Sequence, residues 1–203
     1  MRVALAGRGL AARHGDTEVF SGVDIRVDAG TVVGVVGRSG SGKTTLLRIL
    51  AGLAAPAAGR VEHVGFGYRP GDIGLLSQHP RLVTNPRWTL RRIVGEPAAI
   101  AGAGCDVEAI ADRVGLDPAL LDRRPSQVSD GQLQRACLGR LLVQKPRFVL
   151  ADEPTAMLDP ISTRAVIALL QQLVDDGAGM VLVSHQRRIV EARSDRVVEL
   201  DGR

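Results

Sequence analysis

The stretch GRSGSGKT fits the phosphate-binding pattern G-x-x-x-x-G-K-[ST], in which backbone N–H groups surround phosphate oxygens. Its glycines tolerate positive φ, so the backbone can close tightly around an anion. Lys43 can reach the β- and γ-phosphates of a nucleotide, and the hydroxyl of Thr44 can ligate Mg²⁺. The alternative is a flexible Gly/Ser loop that happens to contain a lysine. The residues predicted to hold the phosphates are Gly37, Arg38, Ser39, Gly40, Ser41, Gly42, Lys43, Thr44 and Thr45.

An acidic pair, Asp152 and Glu153, directly follows the apolar run at residues 148–151. In an open α/β sheet, ligands bind at the carboxyl ends of the strands. We therefore predict that Asp152 holds Mg²⁺ through a water and that Glu153 orients or polarises an attacking water. An acidic pair after a strand is also common as a helix cap, and the phosphate loop in the same chain favours the nucleotide interpretation.

Two further polar residues end predicted strands. Gln78 follows the run at residues 73–76, and its amide can ligate Mg²⁺ or position water. His185 follows the run at residues 180–183 and can stabilise charge that develops during cleavage of a phosphate. Taken alone, each would be interpreted as an ordinary polar or structural residue.

A second phosphate-facing element is indicated by SDGQ. Ser129 and Gln132 have the spacing of an N-terminal capping box, and the amphipathic sequence LQRACLGRLL follows. The start of such a helix presents N–H groups, and Ser129 a hydroxyl, to an anion. Because the loop at Gly37 already binds the phosphates of one nucleotide, this helix indicates a nucleotide shared between two subunits. The alternative is an ordinary capped helix.

The elements that must position these residues alternate between strands and helices, which predicts a mostly parallel sheet. Val23, Ile25 and Val27 alternate with polar residues, so the first thirty residues are predicted to be β structure. A helix is predicted from Thr45 to near Gly52. A loop is predicted at residues 56–59. The other predicted strands span residues 31–36, 61–64, 73–76, 148–151 and 180–183.

Residues 78–127 contain several prolines between short helical patterns, which predicts an inserted helical subdomain. Asp106 is the predicted N-cap of a helix at residues 107–114, with Gly115 after its end. Asp159 is the predicted N-cap of a later helix that ends before Gly177.

Composition narrows the class of protein. The chain has 203 residues, 45% of them hydrophobic, which is consistent with one large globular domain or a domain with a subdomain. No apolar run approaches the roughly 20 residues that span a bilayer, and the apolar run at the N-terminus is too short for a secretory signal. We therefore expect an intracellular protein. The net charge of +4 comes from scattered arginines, and aromatics are only 2%, which disfavours nucleic-acid binding. Cys105 and Cys137 lack metal-ligand spacing.

The motifs together resemble those of the nucleotide-binding subunits of ABC (ATP-binding cassette) transporters, in order and over nearly the whole chain. GRSGSGKT resembles the Walker A loop, and FVLADE resembles the Walker B strand with Glu153 as the catalytic glutamate. The signature motif LSGGQ matches VSDGQ, with Ser129, Gly131 and Gln132 retained. Gln78 falls at the position of the Q-loop, and His185 at that of the switch histidine. Residues 157–159, which end with Asp159, fall at the position of the D-loop.

The resemblance implies a P-loop NTPase fold, α/β with a mostly parallel sheet, an N-terminal antiparallel β region and an inserted helical subdomain. Residues 1–203 would form a single nucleotide-binding domain, with residues 78–140 as its helical and signature subdomain. It implies ATP and Mg²⁺, with Thr44, Gln78 and Asp152 as metal ligands. Two such subunits, identical or different, would enclose two ATP molecules, and each signature motif would act on the partner's ATP.

The resemblance also implies partners and a location. The helical subdomain would dock on integral-membrane permease subunits at the cytoplasmic face of the membrane. A solute-binding protein would take part indirectly, and no nucleic acid is expected. Residues 78–97 look most like the corresponding segment of dipeptide, oligopeptide and nickel importer ATPases, which implies import of peptides, nickel or a related small solute.

Three departures from the family pattern stand out. Asp130 replaces the first glycine of the signature motif and adds a carboxylate near the expected position of the partner's γ-phosphate. His14 takes the place of the aromatic residue, usually tyrosine, that stacks on adenine. The chain is also shorter than the peptide importers, between Lys43 and Gln78 and at the C-terminus.

Two functions other than that of a transporter subunit are compatible with the phosphate loop. One is a soluble ABC-type ATPase that acts on nucleic acid or ribosomes, but such proteins usually carry two cassettes or long coiled-coil insertions. The other is a P-loop kinase for small molecules, which does not explain the motif at residues 129–132.

Overall fold

The computed structural model describes residues 2–156 and 159–200. Within that part of the chain, strands and helices alternate strictly only over residues 148–199, while the first three strands are consecutive. The strands are β1 (Ala4–His14), β2 (Thr17–Asp28), β3 (Val32–Val36), β4 (Ala58–Val64), β5 (Ile73–Leu76), β6 (Phe148–Asp152), β7 (Gly179–Val183) and β8 (Arg196–Glu199). The helices are α1 (Lys43–Leu50), α2 (Leu90–Ile100), α3 (Val107–Arg113), α4 (Asp130–Gln144), α5 (Pro160–Asp175) and α6 (Arg187–Arg193).

The chain divides into two compact units. The sheet unit comprises the residues up to 75, residues 147–153 and the residues from 174 onward. The helical unit comprises residues 76–146 and 154–173. Both sheets belong almost entirely to the first unit, and helices α2, α3 and α4 to the second. None of the described helices is both long and apolar enough to cross a membrane.

The five-stranded sheet has the order β5-β6-β7-β3-β8. Strand β3 pairs in parallel with β7 on one side and β8 on the other, and β6 pairs in parallel with β7. Every residue of β3, β6 and β7 is buried, as expected for central strands covered on both faces. Parallel pairing brings the carboxyl ends of β3, β6 and β7 to one edge of the sheet.

The antiparallel sheet has the order β2-β1-β4. A two-residue turn at Gly15 and Asp16 joins β1 to β2, with His14 opposite Thr17 and Gly15 at φ 57°. Residues 23–27 of β2 alternate in burial as predicted. The N-terminal antiparallel region and the mostly parallel sheet are therefore confirmed.

The core of the sheet unit lies between the two sheets and α1. Phe148 of β6 is fully buried there, together with Leu46, Leu47 and Leu50 of α1. Full burial of an aliphatic or aromatic side chain stabilises the fold by roughly 1.5–3 kcal/mol. This packing fixes α1, and with it the loop that precedes it, against the sheet.

The helical unit is built from short capped helices. The side chains of Thr89 and Asp106 cap α2 and α3 by accepting hydrogen bonds from Arg92 N and Ala109 N. Helix α4 is buried around most of its circumference, since the four consecutive residues 136–139 are all buried. The prediction of an amphipathic helix there is wrong, because the helix packs inside the helical unit and not on its surface. The predicted helix after Asp106 is confirmed, with its last helical residue at Arg113.

Two predicted boundaries are wrong. Residues 58 and 59 were expected in a loop, but they begin β4, because Ala58 pairs with Ala11 of β1. Gly59 lies where the register between β1 and β4 is irregular, and its φ of 83° is in the left-handed region that favours glycine. A Cβ at this position would lie 2.3 Å from the carbonyl oxygen of Arg8. Helix α1 starts at Lys43, two residues earlier than predicted.

Candidate functional site

The phosphate loop, residues 37–44, runs from the carboxyl end of β3 into the first turn of α1. Gly40 has φ 81° and Gly42 has φ 93°, both in the left-handed region that favours glycine. A Cβ on Gly42 would lie 2.5 Å from the side chain of Val19. Gly42 is also the N-cap of α1 and provides no side-chain hydrogen bond to it. The first N–H groups of α1 are therefore available to an anion.

Lys43 lies folded onto its own loop. Its ammonium group donates hydrogen bonds to the carbonyl oxygens of Gly37 at 2.9 Å and Arg38 at 2.8 Å. Arg38, Ser39 and Gly40 are exposed, so the outer side of the loop faces solvent. Ser41 is buried, and its hydroxyl has no hydrogen-bond partner among the described residues. Thr45 is half-buried in the first turn of α1.

Thr44 and Asp152 meet at the edge of the sheet. The Thr44 hydroxyl donates a hydrogen bond of 2.7 Å to Oδ2 of Asp152, which ends β6 and is only 3% exposed. Hydroxyl and carboxylate oxygens are the ligands that Mg²⁺ prefers, and Mg²⁺ commonly takes only one or two of them from a protein. The two residues therefore fit a magnesium site.

Glu153 and His185 form a second pair at the same edge of the sheet. Glu153 Oε1 accepts a hydrogen bond of 2.8 Å from the backbone N–H of His185, and Oε2 lies 2.7 Å from its ring Nδ1. The carboxylate is 10% exposed and the imidazole 64% exposed. Since an ionised carboxylate only accepts, Nδ1 carries the hydrogen in this contact, and Nε2 donates only when the ring is protonated.

The backbone of Glu153 has φ 48°. A left-handed conformation costs an L-residue about 1–2 kcal/mol, so the surrounding structure must stabilise it. The Glu153 N–H donates to the carbonyl oxygen of Val183 at 3.0 Å, which ties the residue to the end of β7. The turn of the chain after β6 thus brings the carboxylate to His185.

The signature residues lie at the start of α4 in the helical unit. Ser129 N donates to Gln132 Oε1 at 2.9 Å, and Gln132 N donates to Ser129 Oγ at 3.2 Å, so the predicted capping box is confirmed. Ser129 is exposed, and Gly131 is half-buried. Because Ser129 Oγ accepts in this bond, its own proton is still able to donate to an anion.

Gln78 follows β5 and belongs to the helical unit, where it is half-buried. The carbonyl of the preceding residue, Ser77, accepts a hydrogen bond of 3.3 Å from Gln134 Nε2 of α4. Gln134 is 3% exposed, and its Oε1 has no hydrogen-bond partner among the described residues. Helix α4 thus fixes the backbone of the residue that precedes Gln78.

Asp159 caps α5, as the sequence predicts. Its Oδ1 accepts from the N–H groups of Ile161 at 2.9 Å and Ser162 at 3.0 Å. The hydrogen bond from the Ser162 hydroxyl to Oδ2, followed by that from the Ser162 N–H, holds the pKa of Asp159 below its usual range. The other two residues of the predicted D-loop, at positions 157 and 158, lie outside the described residues.

The remaining predicted contact, His14, lies at the end of β1 in the sheet unit and is exposed. The sheet unit therefore holds the phosphate loop, the Thr44–Asp152 pair, the Glu153–His185 pair and His14. The helical unit holds the other five predicted residues, namely Gln78, Ser129, Gly131, Gln132 and Asp159.

Sequence reasoning missed Arg81, which contacts the signature loop through all three nitrogen atoms of its guanidinium group. Nε lies 2.6 Å from Asp130 Oδ1, while Nη1 and Nη2 donate to the carbonyl oxygens of Pro125 and Val128. Arg81 and Asp130 are 49 positions apart, and no periodicity or motif links them. Their opposite charges were the only available signal.

A strand, a glycine-rich loop and a helix with Lys43 and Thr44 at its start, together with Asp152 at the end of a neighbouring strand, define a P-loop nucleotide-binding protein. The family described as ABC transporter matches residues 20–156. An aliphatic sulfonates import ATP-binding protein (SsuB) of Rhodopseudomonas palustris strain BisA53 is 40% identical, over 97% of this chain and 70% of that protein. The chain belongs to the ABC transporter family and is an ATP-binding subunit of the ATPase type, as predicted.

Two further similarities agree with this assignment. A nickel import ATP-binding protein (NikE) of Escherichia coli O6:K15:H31 (strain 536 / UPEC) is 34% identical, over 96% of this chain and 79% of that protein. A solved ATP-binding cassette, in a dimeric post-hydrolysis state bound to ADP and Pi, has a TM-score of 0.85 and 25% identity. That similarity covers 98% of this chain and 96% of the solved chain.

Proposed function

We propose that this chain is the ATP-hydrolysing subunit of a membrane importer for a small solute. Glu153 carries the proposal, because it is a buried carboxylate held at the sheet edge by the backbone and ring of His185. A carboxylate in that position can accept a proton from an attacking water. The phosphate loop begins at the end of the parallel strand β3, two strands away in the same sheet.

The chain's own residues would divide the work of phosphoryl transfer. Lys43 exchanges its two loop carbonyls for the β- and γ-phosphates, and the N–H groups of the loop surround their oxygens. His185, anchored through Nδ1, would donate from Nε2 to the γ-phosphate with its ring protonated. Positioning and charge stabilisation would supply most of the rate enhancement.

Thr44 and Asp152 would hold Mg²⁺, with Gln78 as a further ligand. When bound, the ion neutralises charge on the β- and γ-phosphate oxygens. His14 would contact adenine from the end of β1.

We further propose that two cassettes share their nucleotides. Ser129, Gly131 and Gln132 of one chain would complete the site on the partner's phosphate loop, with Asp159 beside it. The dimeric state of the solved cassette and the exposure of Ser129 at the start of α4 support this arrangement. Residues 1–203 would act as one nucleotide-binding domain, with residues 78–140 as its helical part.

The importer assignment is supported by the relatives, which are named as import subunits for aliphatic sulfonates and for nickel. These names speak against the alternative of a soluble ATPase that acts on nucleic acid or ribosomes. The nickel import relative agrees with the solute class that the sequence predicts, which is peptides, nickel or a related small solute. The sulfonate import relative adds a further candidate solute. The partners would be a second ATPase subunit and permease subunits at the cytoplasmic face of the membrane. A solute-binding protein would contribute indirectly.

The substitution Glu153→Gln tests the proposed hydrolysis. It keeps the size of the side chain and removes its capacity to accept a proton, so we expect steady-state ATP hydrolysis to fall at least about a hundredfold. Binding of a fluorescent ATP analogue should persist. Glu191→Gln, in an exposed glutamate paired with Arg187 on α6, is the matched control and should leave turnover unchanged. Unchanged hydrolysis in Glu153→Gln would remove Glu153 from this role.

A further inference from the structure

Asp130 is the residue by which the signature motif of this chain departs from its family, and it does not stand alone. Arg81 Nε lies 2.6 Å from its Oδ1. Both side chains are about half exposed, at 43% and 46%, so the pair lies at the surface of the helical unit. A pair so exposed contributes little to the stability of the fold, so its main effect is on the local charge.

The remaining donors of Arg81 fix the backbone that leads into the signature motif. Nη1 donates to the carbonyl oxygen of Pro125 at 2.5 Å and Nη2 to that of Val128 at 2.8 Å. Val128 directly precedes Ser129, the N-cap of α4. One guanidinium thus contacts both the carboxylate of Asp130 and the two carbonyls of the loop, which its rigid planar group of donors allows.

We propose that Arg81 is a positioning residue that neutralises Asp130, and thereby allows the signature motif to approach the partner's γ-phosphate despite its added carboxylate. The inference rests on the proposed sharing of nucleotides between two cassettes. A bare carboxylate facing a phosphate would be repelled, and juxtaposed like charges are costly at an interface. With Arg81 paired to Asp130, the two side chains together contribute no net charge.

Arg81 therefore has two effects that the experiment must separate. It holds the loop through the carbonyls of Pro125 and Val128, and it compensates the charge of Asp130. Losing the loop contacts is a structural defect that a second change at Asp130 does not repair. Losing the compensation is a charge defect that removal of the carboxylate does repair.

The test measures ATP-dependent association of the Glu153→Gln chain by sedimentation velocity. In this background we expect Arg81→Gln to raise the protein concentration of half association about tenfold at low salt. Adding Asp130→Asn to Arg81→Gln should restore most of the association. The deficit of Arg81→Gln should also shrink as salt is raised to about 0.5 M, because exposed charges are screened there.

Two controls make the outcomes distinct. Arg91→Gln alters an arginine of the same unit, 42% exposed against 43% for Arg81 and paired with Glu108 and Asp122, and should leave association unchanged. Binding of a fluorescent ATP analogue to dilute, monomeric chains should be equal in all variants, since the phosphate loop belongs to the sheet unit.

The results separate this inference from the proposed function. Arg81→Gln that associates like its parent, or that Asp130→Asn fails to rescue, would overturn the charge compensation. A parent chain that stays monomeric with ATP would instead overturn the sharing of nucleotides between copies of this chain.

Discussion

At the scale of single residues, the site depends on two short contacts between groups that are far apart in sequence. Thr44 donates to Asp152 at 2.7 Å, and Glu153 lies 2.7 Å from the ring of His185. Each contact joins a residue at the end of β6 to a different part of the sheet unit. Asp152 and Glu153 are adjacent in the sequence, but their carboxylates contact different partners. The two carboxylates therefore serve separate tasks.

The substitution Thr44→Val tests the proposed metal site, because it keeps the volume of the side chain and removes the hydroxyl. We expect Mg²⁺-dependent ATP hydrolysis to fall at least about a hundredfold, since a bound metal supplies several kcal/mol of charge stabilisation. Thr44→Ser keeps the hydroxyl and should stay within a few-fold of the parent. Hydrolysis measured across a magnesium titration gives the comparison. A Thr44→Val chain with the parent's magnesium dependence would show that the hydroxyl does not act on the metal.

At the scale of elements, α4 connects several parts of the helical unit. Ser129 and Gln132 form the capping box at its start, and Gln134 reaches the carbonyl of Ser77 beside Gln78. Arg135, near its start, donates to Ser162, which in turn donates to Asp159. A change at α4 therefore acts on three predicted motifs at once.

The buried thiol of Cys137 in α4 makes the stability of the fold depend on pH. Burial raises the pKa of this thiol from the ordinary 9.0 to about 11. Between these pH values the unfolded chain carries a thiolate and the folded chain does not, so folding loses stability as pH rises. Below about pH 9 the thiol is protonated in both states and causes no loss of stability. We expect up to about 2 kcal/mol of the free energy of unfolding to be lost by pH 11.

Urea unfolding from pH 8 to 10.5 measures this loss. Cys137→Ala should lack that part of the pH dependence, and the slope with pH is the relevant quantity because alanine also removes packed volume. Burial, followed by the charge of Asp106, also raises the pKa of the Cys105 thiol, so Cys105→Ala should lose its own part of the slope and keep the part that belongs to Cys137. Identical slopes in Cys137→Ala and the parent would show that the thiol titrates near its ordinary pKa.

At the scale of the whole molecule, the predicted residues are distributed over two compact units. The phosphate loop and both carboxylates belong to the sheet unit, while Gln78 and the signature residues belong to the helical unit. If the signature motif acts on a partner's nucleotide, ATP bound to one chain should protect the two units under different conditions.

Hydrogen exchange of the Glu153→Gln chain tests this distribution. ATP should protect residues 37–45 at any protein concentration, because a ligand stabilises the state that binds it. Protection of residues 128–132 should appear only at concentrations where chains associate. Lys43→Ala should remove both effects. Concentration-independent protection of residues 128–132 would mean that the motif acts within its own chain.

Much of this arrangement could be predicted from sequence because the signals are local. The glycines of the phosphate loop, the capping box at Ser129 and the apolar strands each occupy a few consecutive residues. The family motifs then assigned a role to each side chain. Arg81 could not be predicted, since its contact with Asp130 depends on how two distant segments pack.

Boundaries were predicted less well for a related physical reason. Ala58 and Gly59 resemble a loop in isolation, yet they pair with β1 because the antiparallel sheet extends beyond the apolar residues. The left-handed backbone of Glu153 also has no local signature, since non-glycine residues seldom adopt it. Both features are imposed by neighbouring strands.

The inward fold of Lys43 affects how the chain would react with reagents that modify primary amines. Lys43 is one of only two lysines in the chain, the other being Lys145. Lys43 is half-buried and its ammonium already donates to two carbonyl oxygens of its own loop, so a reagent must displace these contacts to reach it even before any nucleotide arrives. Lys145 lies at the C-cap of α4, away from the phosphate loop in the sequence. Acylation of this protein would therefore yield a very small set of products, in which the extent of modification at Lys43 records how the phosphate loop is occupied.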